Sequence, residues 1–305
     1  ASRAEAVQRF LVSIFEQADP DQRQGAELTA REILTKGAAR IDAEFAAQPE
    51  VRASLWNTVR DLYGKLGAHA DGVTAARRQV AAAATAFGKE SLAYGRALRQ
   101  LATSLSDAEQ NEEAQRVLAE ALPILARDGG ARSDEMIDGL LLQGWVTSAL
   151  GRRDQGIIDI RRARNLAVAL HGPDAERTAQ VENDLVVALG DADEALDLAG
   201  HVAAVYGRTM GEGSYQYSLA RYNLGNLLYG HGRWDDAAAT FAGVLPLQEK
   251  LLGDRHPETA LTYRQIARLA AAQGDFDTAR AMMAKAIAAL DATDVSRAVG
   301  AALAR

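Results

Sequence analysis

The chain has 305 residues, of which 48% are hydrophobic and 25% are charged, so it is long enough to bury a sizeable core. A net charge of −7 argues against a surface built for nucleic acid, which needs clustered Lys and Arg. The absence of cysteine excludes disulfides, thiolate nucleophiles and Cys-ligated zinc, and it leaves both cytosolic and oxidising compartments open.

The N-terminus shows no targeting or membrane segment. No apolar run approaches the roughly 20 residues that cross a bilayer, and the opening residues ASRAEAVQRF are charged throughout, unlike a signal peptide. Because the chain starts at Ala1 instead of Met, we expect either a processed protein or a piece excised from a longer one, and we favour the excised piece.

The first predicted element is a capping helix over 2–17, where Ser2 and Glu5 have the spacing of a capping box. The loop ADPDQRQG at 18–25 follows it. We expect residues 1–48 to form an N-terminal capping pair, since a stack of helices needs a polar terminal face.

A sequence pattern with a period of about 42 residues then recurs to the end of the chain. GRWDDAAATF at 232–241 and GDFDTARAMM at 274–283 share a glycine, an aromatic, an alanine and a large apolar residue. The small residue recurs at intervals of 42, 42, 42, 39, 42 and 42, as Ala30, Gly72, Ala114, Gly156, Ala195, Ala237 and Ala279. Five residues earlier lies a turn, occupied by Gly25, Gly67, Glu109, Gly151, Gly190, Gly232 and Gly274. Glycine suits a helix end that needs positive φ, so Glu109 is the exception.

Apolar residues around each turn have helical spacing, which predicts two antiparallel helices per unit. One pair cannot bury its apolar face alone, whereas stacked pairs can. We therefore predict an all-α, right-handed superhelical solenoid of stacked antiparallel helix pairs, with about six full repeats plus the N-terminal pair. A single solenoid would span 1–305, with six repeats at 49–292 and a short C-terminal capping helix at 293–305.

The pattern resembles the tetratricopeptide repeat (TPR), which places Leu-Gly and aromatics on its first helix, Gly at the turn, and Ala and Phe on its second. The matching residues are Leu224, Gly225, Gly232, Trp234, Ala237 and Phe241; Trp56, Tyr63 and Gly67; and Ile266, Ala267, Gly274, Phe276, Ala279 and Ala286. The usual repeat has about 34 residues, and the linkers at 171–179 and 253–260 explain the excess. Such linkers resemble the kinesin-light-chain type of TPR.

Two departures from the pattern predict local changes. The unit at 175–216 is three residues short, and the loss falls within its first helix. Pro123 and Pro246 lie late in two second helices, and we expect them to end or kink those helices because proline has no N–H to donate.

The phrase at 4–41 resembles the segment that joins the membrane helix of proteobacterial transmembrane Ser/Thr protein kinases to their C-terminal TPR arrays. The resemblance implies a kinase domain and a membrane span upstream, so that only this missing segment would touch the membrane. It places the chain on the periplasmic side of the inner membrane, as a sensor that passes ligand or partner binding to the kinase. Similar arrays occur in other bacterial regulators, so a cytoplasmic location is the alternative.

Residues that carry chemistry are sparse. The five histidines lack the His-Glu-x-x-His spacing of a zinc site, and neither a P-loop nor a kinase catalytic motif occurs. MGEGSYQ at 210–216 lacks the third glycine of a phosphate cradle, so we interpret it as a linker. We predict no catalytic residues, no metal, no cofactor and no enzyme activity in this chain.

Binding is expected on the first helices, which line the concave groove of a TPR superhelix. The predicted groove residues are Asn57, Arg96, Arg99, Trp145, Tyr222, Asn223, Asn226, Tyr229, Arg264, Gln265 and Arg268, with Asp61, Thr103, Leu141 and Asp184 at neighbouring inward positions. Residues 222, 223, 226 and 229 share one helical stripe, and asparagines of this kind pair with a peptide backbone in many TPRs. Arg264 and Arg268 can fork onto a carboxylate.

Each groove residue also has a structural interpretation: Tyr and Asn can pack against the next repeat, Arg can lie on a solvated face, and Trp145 can belong to the core between repeats. The predicted partner is a protein or peptide in the groove, without nucleic acid. Two alternatives stay open: a scaffold or dimerisation arm that forms a homodimer, and an intracellular TPR receptor for signalling peptides.

Overall fold

The computed structural model describes residues 29–127 and 130–303 together with Gln8, Phe10 and Val12, and for residues 291–303 it describes the backbone alone. All regular secondary structure in these residues is α-helical, so the predicted all-α fold is confirmed. Apart from those three residues, the predicted capping helix over 2–17 and the turn at Gly25 lie outside the described part of the chain.

Two short helices, α1 (Ala30–Ala38) and α2 (Ile41–Glu44), precede the helix pairs. Repeats 1 to 6 are α3 (Pro49–Lys65) with α4 (His69–Phe87), α5 (Leu92–Asp107) with α6 (Asn111–Leu125), α7 (Asp134–Ala149) with α8 (Arg153–His171), α9 (Glu176–Leu189) with α10 (Asp193–Thr209), α11 (Tyr215–Gly230) with α12 (Trp234–Leu252), and α13 (Pro257–Ala272) with α14 (Phe276–Leu303). Three residues separate the helices of every pair, so the two helices run antiparallel.

The chain forms two compact units, Ala1–Ala163 and Arg164–Arg305, and the boundary between them lies within α8. A single solenoid over 1–305, with internal boundaries at 48 and 292, stays a prediction. No helix in the described ranges combines the length and the apolar character needed to cross a membrane.

Recurring caps start the first helices of the repeats. The side chains of Ser91, Ser133 and Ser214 each accept from the backbone N–H three residues later. Pro49 and Pro257 occupy the first helical turn, where the missing N–H costs no hydrogen bond. Caps of these two kinds mark where the chain enters five of the six first helices.

The turn residues have the backbone conformation that the glycine series predicts. Positive φ values occur at Gly67 (66°), Gly151 (80°), Gly190 (60°), Gly232 (71°) and Gly274 (82°). Among the described residues, the one non-glycine with positive φ is Glu109, at 59°. The turn therefore requires this conformation even where the sequence supplies a residue that adopts it at a cost.

The small residue of each second helix is buried in the inner repeats. Ala114, Ala195 and Ala237 expose none of their surface. The facing position is equally tight, since a methyl group at Gly225 would lie 2.7 Å from the Phe241 ring. At the ends the pattern weakens: Ala30 is exposed in α1, and Ala279 is half-buried.

Helix lengths confirm the short first helix and show where the two proline-containing helices end. The first helix of the short repeat, α9, has 14 residues, whereas the other first helices have 16 or 17. Pro246 does not end its helix, because α12 continues to Leu252, and α6 ends two residues after Pro123. Both prolines are exposed, so the carbonyl group that each leaves without an N–H partner can bond to water.

The C-terminal cap is not a separate helix. α14 runs without a break from Phe276 through Thr293 to Leu303. The sequence contains neither glycine nor proline between residues 275 and 298, so nothing in it ends the helix at 293.

Candidate functional site

A chain of side-chain hydrogen bonds links the first helices of repeats 5 and 6. Arg268 Nη1 donates to Gln265 Oε1 at 3.0 Å, and Gln265 Nε2 donates to Asn226 Oδ1 at 2.7 Å. A guanidinium group has donors only, so it holds the glutamine with its oxygen toward Arg268 and its nitrogen toward Asn226. Asn226 therefore directs its own NH₂ group away from Gln265.

A second bond of the same kind links repeats 4 and 5. Asn223 Nδ2 donates to Asn183 Oδ1 at 3.0 Å. These residues are termed the amide ladder: Asn183, Asn223, Asn226, Gln265 and Arg268. In the part of the chain that the structure describes, no group accepts from the amide nitrogens of Asn183 or Asn226. The ladder thus presents hydrogen-bond donors on a partly exposed surface.

Two tyrosines, Tyr222 and Tyr229, lie on the same helix as Asn223 and Asn226 of the amide ladder. The rings of Tyr222 and Phe241 lie 5.9 Å apart at an interplanar angle of 58°. The Arg268 guanidinium lies 4.7 Å from the centre of the Tyr229 ring, which is cation–π geometry. Both tyrosines pack against the buried cluster around Phe241 while staying partly exposed. Both tyrosines therefore take part in packing and keep part of their surface accessible.

Arg264 lies one helical turn before Arg268 on α13 and is exposed. Within the described residues it has no carboxylate partner. Gln265 between them is 9% exposed, so the ladder has a buried base and a charged outer edge. This edge carries an uncompensated positive charge beside the amide donors.

The predicted residues of the first unit lie in a different arrangement. Arg96 pairs with Glu135, and Arg99 Nη2 lies 3.5 Å from Asp138 Oδ2. Both arginines therefore form ion pairs with carboxylates on α7. Trp145 is partly exposed and forms no side-chain hydrogen bond with the described residues. These contacts tie successive first helices together.

Asn57 and Arg96 line a cleft of about 420 Å³. Asn57 Oδ1 accepts from Arg60 Nη2 at 3.1 Å and from Gln79 Nε2 at 3.3 Å. Gln79 Nε2 also donates to Gln100 Oε1 at 2.5 Å, so the floor of this cleft is another hydrogen-bonded set of amides. Gln79 was not predicted, because it lies on a second helix.

The residues at the neighbouring inward positions are not part of the amide ladder and do not line the 420 Å³ cleft. Asp61 pairs with Arg60 at 2.6 Å, and the Thr103 hydroxyl donates to the Arg99 carbonyl of its own helix. Leu141 and Asp184 are partly buried. Of the eleven predicted groove residues, seven lie on α11 and α13 in the second unit, and four lie in the first unit with the separate contacts described above.

Asn183, which completes the amide ladder, was not predicted from the sequence. It lies seven residues before the turn glycine Gly190, the position of Gly144 and Gly225 in their repeats. In those repeats an added methyl group would come within 3 Å of the second helix, so the pattern predicts a buried small residue. The short helix α9 breaks this equivalence, and the three-residue gap is the signal that could have shown it.

Chemically, the site can bind a ligand reversibly through hydrogen bonds and charge. Among the described residues, no group of three or more His, Asp or Glu is placed to hold a metal ion. The surface offers amide donors, tyrosine edges and a guanidinium group, which together suit carbonyl and carboxylate acceptors.

Comparison with known proteins establishes the fold. A sequence profile of the tetratricopeptide repeat matches residues 217–292. No curated protein matches the chain. Among solved structures, BtubC (BKLC) from P. vanneervenii has a TM-score of 0.64 at 19% identity over 73% of this chain and 91% of its own. A protein of Podosopora anserina described as a kinesin light chain with nearly identical TPR-like repeats has a TM-score of 0.57 at 18% identity, covering 65% and 95%.

A Rap protein complexed with Competence and Sporulation Factor is also similar, with a TM-score of 0.55 at 11% identity over 95% of this chain and 98% of its own. These likenesses confirm the resemblance to TPR solenoids of the kinesin-light-chain type. At such identities they concern the fold alone.

Proposed function

We propose that this chain is a non-catalytic module that binds a segment of a partner protein or peptide along the amide ladder. The observation that carries the proposal is the polarity of the ladder. Arg268 orients Gln265, which orients Asn226, so that NH₂ groups and not oxygens are presented to a ligand.

The expected ligand is an extended peptide with an acidic residue or a C-terminal carboxylate. Its backbone carbonyl groups would accept from Asn183 and Asn226, which are partly exposed. Its carboxylate would pair with Arg264, whose guanidinium group can form two parallel hydrogen bonds. The complex of the similar Rap protein with Competence and Sporulation Factor supports the view that a fold of this kind can hold a partner.

The test is to select peptides from a random library with the whole chain and measure their affinity by fluorescence anisotropy. We expect acidic residues to be enriched, and we expect N226D and R264Q each to weaken binding at least tenfold. N226D keeps an acceptor for Gln265 but replaces the outward NH₂ with an oxygen. R255Q, at an exposed linker arginine, is the matched control. Equal affinity of all variants would contradict the proposal.

A finer proposal is that the module is the sensor region of a transmembrane Ser/Thr kinase, on the periplasmic side of the inner membrane. Its support is the resemblance of residues 4–41, most of which lie outside the described ranges. Binding would bias the upstream kinase by favouring one of two states of the module. The test is the reading frame upstream of Ala1: a kinase domain followed by about 20 apolar residues supports it, and a start codon there contradicts it.

One observation favours the alternative of a dimerisation arm. α14 exposes Phe276, Met283, Ile287 and Leu290, which are spaced by seven, four and three residues and so share one side of the helix. Sedimentation velocity tests it. A dimer that I287D converts to a monomer supports the homodimer, whereas a wild-type monomer at about 100 μM, a concentration well above the micromolar range of ordinary association, excludes it.

A further inference from the structure

A second cleft, of about 330 Å³, lies where the first helices of repeats 1 and 2 end. It is lined by Arg60, Asp61, Gly64, Lys65, His69, Gly72, Ser104 and Asp107. It shares no lining residue with the 420 Å³ cleft, and it involves no residue of the amide ladder. We term it the rim pocket.

Arg60 brings a largely buried positive charge to the rim pocket. Its side chain is 12% exposed, and its Nη2 is bonded to Asp61 Oδ1 at 2.6 Å. Its Nε is buried and has no hydrogen-bond partner. Burial lowers the pKa of Arg60, the nearby Arg99 lowers it further, and Asp61 and Asp107 act in the opposite direction. One carboxylate in direct contact therefore does not fully compensate this cation.

Two other lining groups form no direct ion pair with the described residues, and a third forms no side-chain hydrogen bond with them. The Lys65 ammonium group has no carboxylate partner, and Asp107 has no cationic partner in an ion pair. Ser104 is only 6% exposed, and its hydroxyl group forms no hydrogen bond to a described residue. The rim pocket thus combines the unpaired Lys65 ammonium group, the Asp107 carboxylate, which acts on Arg60 without direct contact, and the Ser104 hydroxyl group.

We propose that the rim pocket binds a free α-amino acid, with its ammonium group on Asp107 and Ser104 and its carboxylate facing Arg60 and Lys65. A simple anion would satisfy the cations but would lie beside the carboxylates of Asp61 and Asp107. A simple cation would satisfy the carboxylates but would lie beside the positive charges of Arg60 and Lys65. A small zwitterion satisfies both signs at once, and the volume lies at the lower end of the range for small-molecule sites.

Gly64 lines the rim pocket, and a larger side chain at this position would block the pocket without removing a charge. A methyl group added at Gly64 would meet no atom within 4 Å, so a larger side chain has room there. Gly64 is within α3, where leucine also has the better helix propensity. G64L should therefore occupy the pocket and leave the thermal midpoint equal or higher.

The experiment is calorimetric titration of the whole chain with each of the proteinogenic amino acids at about pH 7, where both charged groups of a free amino acid are ionised. At least one should bind with unit stoichiometry, and its N-acetyl and carboxamide derivatives should bind at least tenfold more weakly because each lacks one charge. D107N and G64L should each weaken binding at least tenfold. E112Q, at an exposed position of α6 outside the pocket, should bind as the wild type does.

Four results would overturn the proposal. No amino acid binds; the N-acetyl derivative binds equally well, which indicates an anion site; the carboxamide binds equally well, which indicates a cation site; or G64L retains full affinity. If D107N does not fold, G64L alone decides, because it leaves every charged group in place.

Discussion

His201 Nδ1 lies 2.6 Å from Oε2 of Glu182, a carboxylate that exposes none of its surface. Arg164 Nη2 reaches the other oxygen of Glu182 at 2.8 Å. The three residues come from α10, α9 and α8, so a single buried charge ties together three successive helices of the second unit. Such a carboxylate is tolerated only when its partners are in place.

Replacing Glu182 by Gln should destabilise the chain by about 3 kcal/mol, because it keeps the shape but leaves Arg164 without its counter-charge. The measurement is urea unfolding followed by circular dichroism. E212Q, at an exposed linker glutamate, should change the free energy of unfolding by less than about 0.5 kcal/mol. Equal stability of the two variants would show that the buried network contributes nothing.

The same network predicts a pH dependence. Hydrogen bonds from His201 and Arg208 lower the pKa of Asp174. A lowered folded-state pKa means that Asp174 stabilises the fold above its unfolded pKa of about 3.9 and that this contribution is lost as pH falls through the folded value. D174N should therefore reduce the urea midpoint more at about pH 7 than at about pH 3, which lies below the unfolded pKa. A difference from wild type that is the same at both pH values would refute the linkage.

The turn at Glu109 offers a stabilising substitution. Its φ of 59° is unfavourable for a side chain with Cβ, whereas the equivalent turns use glycine. E109G should raise the free energy of unfolding by about 0.5–1 kcal/mol, and G232A should lower it by about 1 kcal/mol. Unfolding curves in urea measure both. Destabilisation by E109G would mean that the glutamate side chain contributes more than the strained backbone costs.

Two prolines in different parts of their helices form a matched pair. Pro246 is inside α12, where its missing N–H leaves a helical carbonyl unbonded, whereas Pro257 is in the first turn of α13. P246A should raise the free energy of unfolding by about 1–3 kcal/mol, and P257A should not raise it. Thermal unfolding distinguishes them. Equal changes in both variants would contradict this account of the exposed, helix-internal proline.

The fold could be predicted because its signals are local and repeated. The turn position determines backbone φ, and the small buried residue determines how closely two helices approach, so both are visible as residue types at a fixed interval. Glu109 shows the limit: the interval predicted its conformation although its residue type did not. α14 continues past Thr293 because fading periodicity does not end a helix that lacks glycine and proline.

The candidate site could be predicted only in part, because hydrogen-bond partners depend on the register between repeats. The stripe on α11 was visible from helical spacing, yet its bond to Asn183 depends on the short helix α9. Arg96 and Arg99 look like groove cations in sequence, but carboxylates on α7 neutralise them. Sequence spacing identifies which residues share a helix face, and it does not show which partner from the next repeat each one meets.

The most direct measurement is the side-chain amide NMR spectrum of the whole chain during titration with a peptide selected on it. If the amide ladder binds the peptide, the NH₂ resonances of Asn183 and Asn226 shift during the titration, and the Kd fitted to these shifts equals the Kd of peptide binding. The NH₂ resonances of Asn57 do not shift. N226D should then weaken binding at least tenfold. A peptide that binds tightly while the resonances of Asn183 and Asn226 stay unmoved would contradict the proposed function.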